Sequence, residues 1–407
     1  MPRPNRLDVV IVVAVALIAN FVYFRFSAGD FYFPDSATYL APARSMLAGA
    51  GFLGPDGKPD PIRTPGYPLL LVLFGARPLP VLALQHLANA ALAASIYIFL
   101  LRRTASRAMA LTASLLFAVD VPTIHYANKI LTETLFTVVL YVIFVMTLQR
   151  RYLPLIAALC GVLTMVRPIA LFWCVPIAIV LAISRVPLRQ LVALVLIALV
   201  LPLAWAMRNK AHAGVFTVSS IGSINLLNHR AAGALAIEDA GDDFYKDLAD
   251  EQSGLQEDAD DWIQKQLHIP DAQELPVAVR AKYYGRYALG IIAQHKLALV
   301  QLTLSGALVN LTDSDWEAVA IESPVSPELL RLFFGAVPAI ILTFAVIGIL
   351  ALWRRDRVLS LLVGLTLVYF IGLASGSEAE SRFRVPVMPQ MMIAAAAGVL
   401  AVRRGVA

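Results

Sequence analysis

The chain has 407 residues, 59% of them apolar and 15% charged, with a mean hydropathy of +0.73. Those proportions exclude a soluble globular domain and specify a polytopic membrane protein. The formal charge of +5 then reads as Lys and Arg gathered in cytoplasmic loops, which sets orientation and does not imply nucleic acid as a partner.

The opening "MPRPNRLDVVIVVAVALIANFVYFRF" has the basic head and apolar stretch of either a cleavable signal or an uncleaved first span. Aromatics at its far end and the lack of a small-x-small cleavage site favour the span. "DFYFPDSATYL" follows at 30–40, with Asp35 where the next helix should begin. Asp35 suits an N-cap there, and a cap is compatible with a catalytic carboxylate. Pro42 either kinks that helix or marks a second start.

Further apolar runs lie at about 80–101, 108–124, 131–148, 153–166, 168–184, 188–207, 331–353, 358–374 and 385–402, predicting roughly ten spans. Arg3 and Arg6, Arg102, Arg103 and Arg107, Arg150 and Arg151, Arg185 and Arg189, Arg354, Arg355 and Arg357, and Arg403 and Arg404 stand at alternate span ends. A cytoplasmic N-terminus and C-terminus satisfy them all. His86, with Gln85 and Asn89, reads as interhelical hydrogen-bonding glue. Cys160 and Cys174 lie in apolar runs without clustered spacing and read as core residues.

The run "KLALVQLTLSGALVNL" at 296–311 would invert this sidedness if it crossed, so it is placed on or within the outer leaflet; the alternative is an eleventh span. Before it, Tyr284, Tyr287, Ala288, Ile291 and His295 recur at helical spacing as in an interfacial helix. The outer segments are then 28–79, 208–330 and 375–384. The expected organisation is a transmembrane module over 1–207, an extracytoplasmic lobe with an interfacial helix over 208–330, and C-terminal spans over 331–407. The acidic stretch "IEDAGDDFYKDLADEQSGLQEDADDW" reads as a solvated helical face of that lobe.

The unexplained polar residues gather at the outer ends of spans. Glu133 opens the fourth span, where an acid suits the helix dipole or orders a second group beside Asp35. Residues 153–184 are too long for one span and short for two, at ~1.5 Å per residue, so they should turn tightly at Arg167-Pro168. Arg167 there needs a partner, and a lipid phosphate is a natural one. Arg208 and Lys210, with Arg382 and Arg384, are further cations on the disfavoured side. Each could pair with a carboxylate such as Glu378 or Glu380; together they suggest an anion held at the outer face.

"FPDSATYLAPARSMLAGAGF", "RTPGYPLLLVLFG", "LTETLF", "MVRPIALF", "RNKAHAGVFTVSSIGSINLL" and "SRFRVPVMP" resemble, in that order, the landmarks of bacterial GT-C glycosyltransferases. This polyprenyl-phosphate-dependent group includes protein mannosyltransferase-like and aminoarabinose-transferase-like enzymes. The resemblance covers nearly the whole chain and implies an all-α polytopic fold of 10–11 transmembrane helices in the plasma membrane with an outward-facing site. It implies a multi-pass transferase that moves a sugar, with inversion, from a polyprenyl-phosphate donor to a glycan, lipid or protein acceptor of the cell envelope. The family's first-loop acid corresponds to Asp35, the expected base, with Glu133 as second carboxylate. Arg167, Arg208, Arg382 and Arg384 would bind the donor phosphate, and Ser36, Tyr39, Tyr67 and Asn225 belong to loops that would close over the sugar. Family members often have Asp-Glu or Asp-Ser after the first span; here Asp35 is followed by Ser36, so a paired acid is missing and a divalent metal is possible but not demanded by the sequence. A lipid-linked sugar flippase would need the cations but no base. A glycan ligase or polymerase would concentrate its catalytic residues in a large late loop.

Overall fold

A computed structural model describes residues 3–27, 29–239, 243–314 and 326–405. The described residues are helical throughout, apart from loops and one isolated bridge between Leu53 and Pro59. The bundle contains α1 (Arg6–Phe26), α4 (Pro78–Thr104), α5 (Arg107–Ala118), α6 (Val121–Ala127), α7 (Glu133–Gln149), α8 (Leu153–Val166), α9 (Cys174–Ile183), α10 (Leu188–Ala213), α16 (Pro327–Arg355), α17 (Arg357–Ala374) and α18 (Met388–Arg403). Two short helices, α2 (Ser36–Leu47) and α3 (Gly66–Leu73), occupy the segment between α1 and α4. The lobe is built from α11 (Ile221–Asn225), α12 (Ala232–Glu238), α13 (Phe244–Leu267) and α14 (Val277–Gln294), and α15 (Lys296–Thr312) leads back to the bundle.

Among the described residues, six helices are long and apolar enough to cross a membrane unaided. The bent pair α5 and α6, with three shorter apolar helices over Glu133–Gln149, Leu153–Val166 and Pro168–Ile183, completes the runs expected from the sequence. Three of the arginines at span ends fasten neighbouring helix ends to one another. Arg103 forms a double ion pair with Asp356 at 2.7 and 3.0 Å, Arg107 holds the buried Asp8 at 2.7 Å through each oxygen, and Arg150 reaches the Ser184 carbonyl. These contacts gather the starts of α1, α5 and α17 and the ends of α4, α7 and α9 at one end of the bundle. The acidic and cationic loop residues lie at the other.

Packing inside the bundle depends on small residues, because lipid supplies no hydrophobic drive to join helices. A Cβ on Gly348 would run into the Ala394 carbonyl, and one on Gly398 into the Phe344 carbonyl, so α16 and α18 approach backbone to backbone. Polar residues do the rest. His86 bonds Asn20 at 2.7 Å and Asn128 at 3.3 Å, joining α1, α4 and the loop before α7 as the sequence suggested. Both cysteines are free and buried.

The lobe departs from expectation in one respect. Tyr284 and Ala288 of α14 are buried, and Tyr287 and Ile291 pack partly, against Leu248, Leu255, Ala259 and Ile263 of the acidic helix α13. The apolar face read as interfacial is therefore covered by the lobe's own core; helical spacing identifies a face but not what will cover it. The lobe's stretch 315–325 lies outside the described residues. Between α14 and α15 the chain bends by 101°. Asn310 of α15 donates to the Ala374 carbonyl at 3.2 Å and accepts from the Glu380 amide at 3.0 Å, and Gly306 lies against Gly376. These contacts keep α15 at the loop-rich end.

Replacing Gly398 by Val should destabilise the protein by about 1–3 kcal/mol through overpacking, read as a lower unfolding midpoint in detergent. An unchanged midpoint would mean that α16 and α18 do not meet at this closeness.

Candidate functional site

The loop-rich end is organised by five charged side chains from four segments. Arg63 Nη2 lies 2.5 Å from Asp35 Oδ1, and Arg382 Nη1 lies 2.9 Å from Asp35 Oδ2. Arg382 Nε donates to Glu133 Oε1, and the same oxygen receives Arg167 Nη1 at 2.9 Å. The series Arg63, Asp35, Arg382, Glu133, Arg167 thus alternates in sign from end to end, with Glu380 3.9 Å from the central guanidinium. Glu133 is fully buried, whereas the Asp35 side chain keeps 32% exposure. Each charge is costly to bury alone and tolerable only because its neighbours are opposite.

Local structure explains how each member arrives. Asp35 occupies the N-cap position of α2 but makes no side-chain cap bond. Ser36 takes over that loop, its hydroxyl accepting from the Phe33 amide at 2.9 Å and donating to the Ile130 carbonyl at 3.0 Å. The Asp35 carboxylate is left free to meet the guanidiniums. Glu133 begins α7, and Arg167 stands between the end of α8 and the turn Pro168–Ala170, where the sequence predicted a tight reversal. Arg382 comes from a short 3-10 turn, Ser381–Phe383, ahead of α18, and its guanidinium lies over the Phe33 ring.

Arg63 is the member that sequence reasoning missed. It opens the landmark "RTPGYPLLLVLFG" but is one of several loop cations there, and no spacing ties it to Asp35. Its guanidinium bonds the Thr38 hydroxyl at 2.8 Å and the Tyr39 hydroxyl at 3.3 Å, and stacks over the Tyr39 ring. Tyr67 packs edge-on against Tyr39 and donates to Gln85 at 2.9 Å, sealing the floor. Gly66 permits this arrangement: a Cβ there would sit 2.6 Å from the Met165 carbonyl oxygen, so the Arg63 loop can lie directly on the end of α8.

Three predicted residues take other places. Arg208 donates to the carbonyls of Asp60 and Phe52, both at 2.8 Å, and so braces the loop that carries Arg63 instead of joining the charge series. Arg384 is buried and donates to the Asn310 carbonyl at 3.1 Å, tying α15 to the final loop. Asn225 ends α11 on the lobe side. Arg382 and Arg384 diverge because the 3-10 turn separates residues two apart onto different sides.

The two guanidiniums outweigh burial and hold the Asp35 carboxyl below its ordinary range, although burial alone would raise it. Asp35 is therefore ionised at neutral pH. With Arg382 filling the space between Asp35 and Glu133, the pair does not fit a shared divalent metal. Among the described residues, no three His, Cys, Asp or Glu side chains converge as ligands.

No family model and no curated protein matches the chain. Among solved structures, it is similar to the crystal structure of ArnT from Cupriavidus metallidurans bound to undecaprenyl phosphate. That match has 17% identity and a TM-score of 0.42, covering 95% of this chain and 77% of that one.

Two outcomes test the charge series. Glu133→Ala leaves Arg382 and Arg167 facing each other without their shared acceptor, and should cost about 3–5 kcal/mol in unfolding free energy, with Glu133→Gln milder. For Asp35, the folded-state pKa lies below the unfolded value of about 3.9. Its ion pairs therefore contribute fully above that pH and are lost as pH falls through the folded value. Unfolding midpoints followed from neutral to acid pH should fall in wild type, and Asp35→Asn should flatten that part of the profile.

Proposed function

We propose that the chain is a membrane glycosyltransferase that moves a sugar from a polyprenyl-phosphate donor to an acceptor at the loop-rich end of the bundle. The observation that carries this reading is the meeting of a partly exposed, ionised Asp35 with Arg63 and Arg382 at the mouth of the spans. A lipid-phosphate sugar keeps its tail in the bilayer and its anomeric carbon among the headgroups, so donor and water-borne acceptor meet at that level. On this reading the site faces the extracytoplasmic side of the plasma membrane.

In the reaction, an acceptor hydroxyl or amine attacks the anomeric carbon while Asp35 takes its proton. The bond from that carbon to the phosphate oxygen breaks, and its electron pair leaves with the phosphate. A single displacement of this kind inverts the anomeric centre. Arg63 and Arg382 supply fixed positive charge where the leaving phosphate becomes more negative. Arg63 is also the group whose transfer to the phosphate would free one Asp35 oxygen for the proton. Arg167 acts through Glu133, holding it so that Arg382 stays aimed at Asp35. Tyr39 and Tyr67 form the floor, and the 208–230 segment supports the Arg63 loop.

Asp35→Asn should preserve expression and insertion but lower transfer from a polyprenyl-phosphate sugar by ~10²–10⁴, since general-base contributions are of that size. The measurement is turnover of purified protein in lipid with a panel of donors and native membrane acceptors. A flippase would move the lipid-linked sugar across vesicles and be indifferent to this substitution; transfer at the wild-type rate would remove Asp35 as the base.

A further inference from the structure

A second cluster of cations lies outside the charge series and, among the described residues, has no acidic partner. Residues 207–236 contain no Asp or Glu, and neither does Val277–Gln294. The end of α10, the following loop and one face of α14 enclose a crevice of about 450 Å³. Lys210, Lys282 and Arg286 line it and are exposed. Lys210 bonds only the Gly214 carbonyl at 3.1 Å, and Arg286 lies over the Tyr283 ring. Among the described residues, none of the three forms an ion pair with a carboxylate. The acidic helix next door spends Asp260 on Tyr284 and Gln273 instead.

Two further observations point to a ligand. Ser220 lines the same crevice, and its hydroxyl is buried without a hydrogen-bond partner, a cost that an incoming acceptor oxygen would remove. On α10, Leu196, Val200, Leu203 and Met207 are all exposed at alternating spacings of four and three, forming one apolar stripe. Lys210 continues that stripe into the crevice. An acyl chain lying along the stripe would bring its headgroup to the cations and to Ser220.

We propose that this crevice binds the phosphate of an anionic membrane lipid, at a site separate from Asp35 and independent of the transferase reading. Charge and placement agree: three cations on two helices line the crevice, and the apolar stripe of α10 leads to it from the span. Basic pockets at the ends of spans hold lipid headgroups by this combination. Phosphate offers several acceptor oxygens, enough for Lys210, Lys282, Arg286 and the Ser220 hydroxyl together.

The test uses the full chain, stripped of bound lipid and placed in nanodiscs of phosphatidylcholine alone or mixed with phosphatidylglycerol, with retained lipid counted by native mass spectrometry. Wild type should retain phosphatidylglycerol in preference to phosphatidylcholine. The double substitution Lys282→Gln with Arg286→Gln should reduce that retention about tenfold or more, with the unfolding midpoint of the lipid-free protein unchanged. Ser220→Ala should reduce retention by a smaller factor while leaving the lipid-free protein as stable or more so, a combination that a structural role would not give. Equal retention of the two lipids, or wild-type retention by the double variant, overturns the proposal. Displacement of phosphatidylglycerol by inorganic phosphate would overturn the lipid assignment in favour of a free-anion site, and wild-type retention by Ser220→Ala would remove that hydroxyl from it.

Discussion

One guanidinium shared by two carboxylates holds the loop-rich end together. Arg382 bonds Asp35 through Nη1 and Glu133 through Nε, and among the described residues no other side chain pairs with both. Without it, two acids would face each other in a largely dehydrated space. With it, each acid can accept a second arginine on its outer side. The loop between α1 and α4, the start of α7, the reversal after α8 and the loop before α18 are fixed by this one shared cation. Its planar fork suits the task, since it presents donors in two directions from a rigid frame.

The two ends of the bundle use similar chemistry differently. At the arginine-rich end, Asp8 is held by Arg107 and by the Tyr97 hydroxyl, and Arg103 by Asp356. These are closed pairs that fasten helices. At the other end, pairing continues through five groups and finishes on Arg63 and Arg167, both partly exposed. A series that ends in cations, next to a carboxylate open to solvent, can exchange partners with an anion. A closed pair cannot do so without losing its fastening role.

Much of this was legible in the sequence. Apolar runs located the helices, and arginines at alternate ends ordered them, because burial in lipid leaves few choices for either. Asp35, Glu133, Arg167 and Arg382 were visible as charges at span ends where a bland role was incomplete. Arg63 was not, since its loop position carries no period and its partner is 28 residues away. Arg382 and Arg384 could not be told apart, as a short 3-10 turn decides which one faces Asp35. The amphipathic spacing of α14 was read correctly as a face, but its cover, the acidic helix of the lobe, depends on how the chain folds back.

The order of the charges along the chain has a consequence for biogenesis. Glu133 emerges from the ribosome 249 residues before Arg382, the cation that neutralises it together with Asp35. Until then each acid has only its outer arginine to meet, Asp35 with Arg63 and Glu133 with Arg167. The bundle can therefore assemble most of its helices during synthesis, but its acidic mouth closes only when the loop that carries Arg382 arrives.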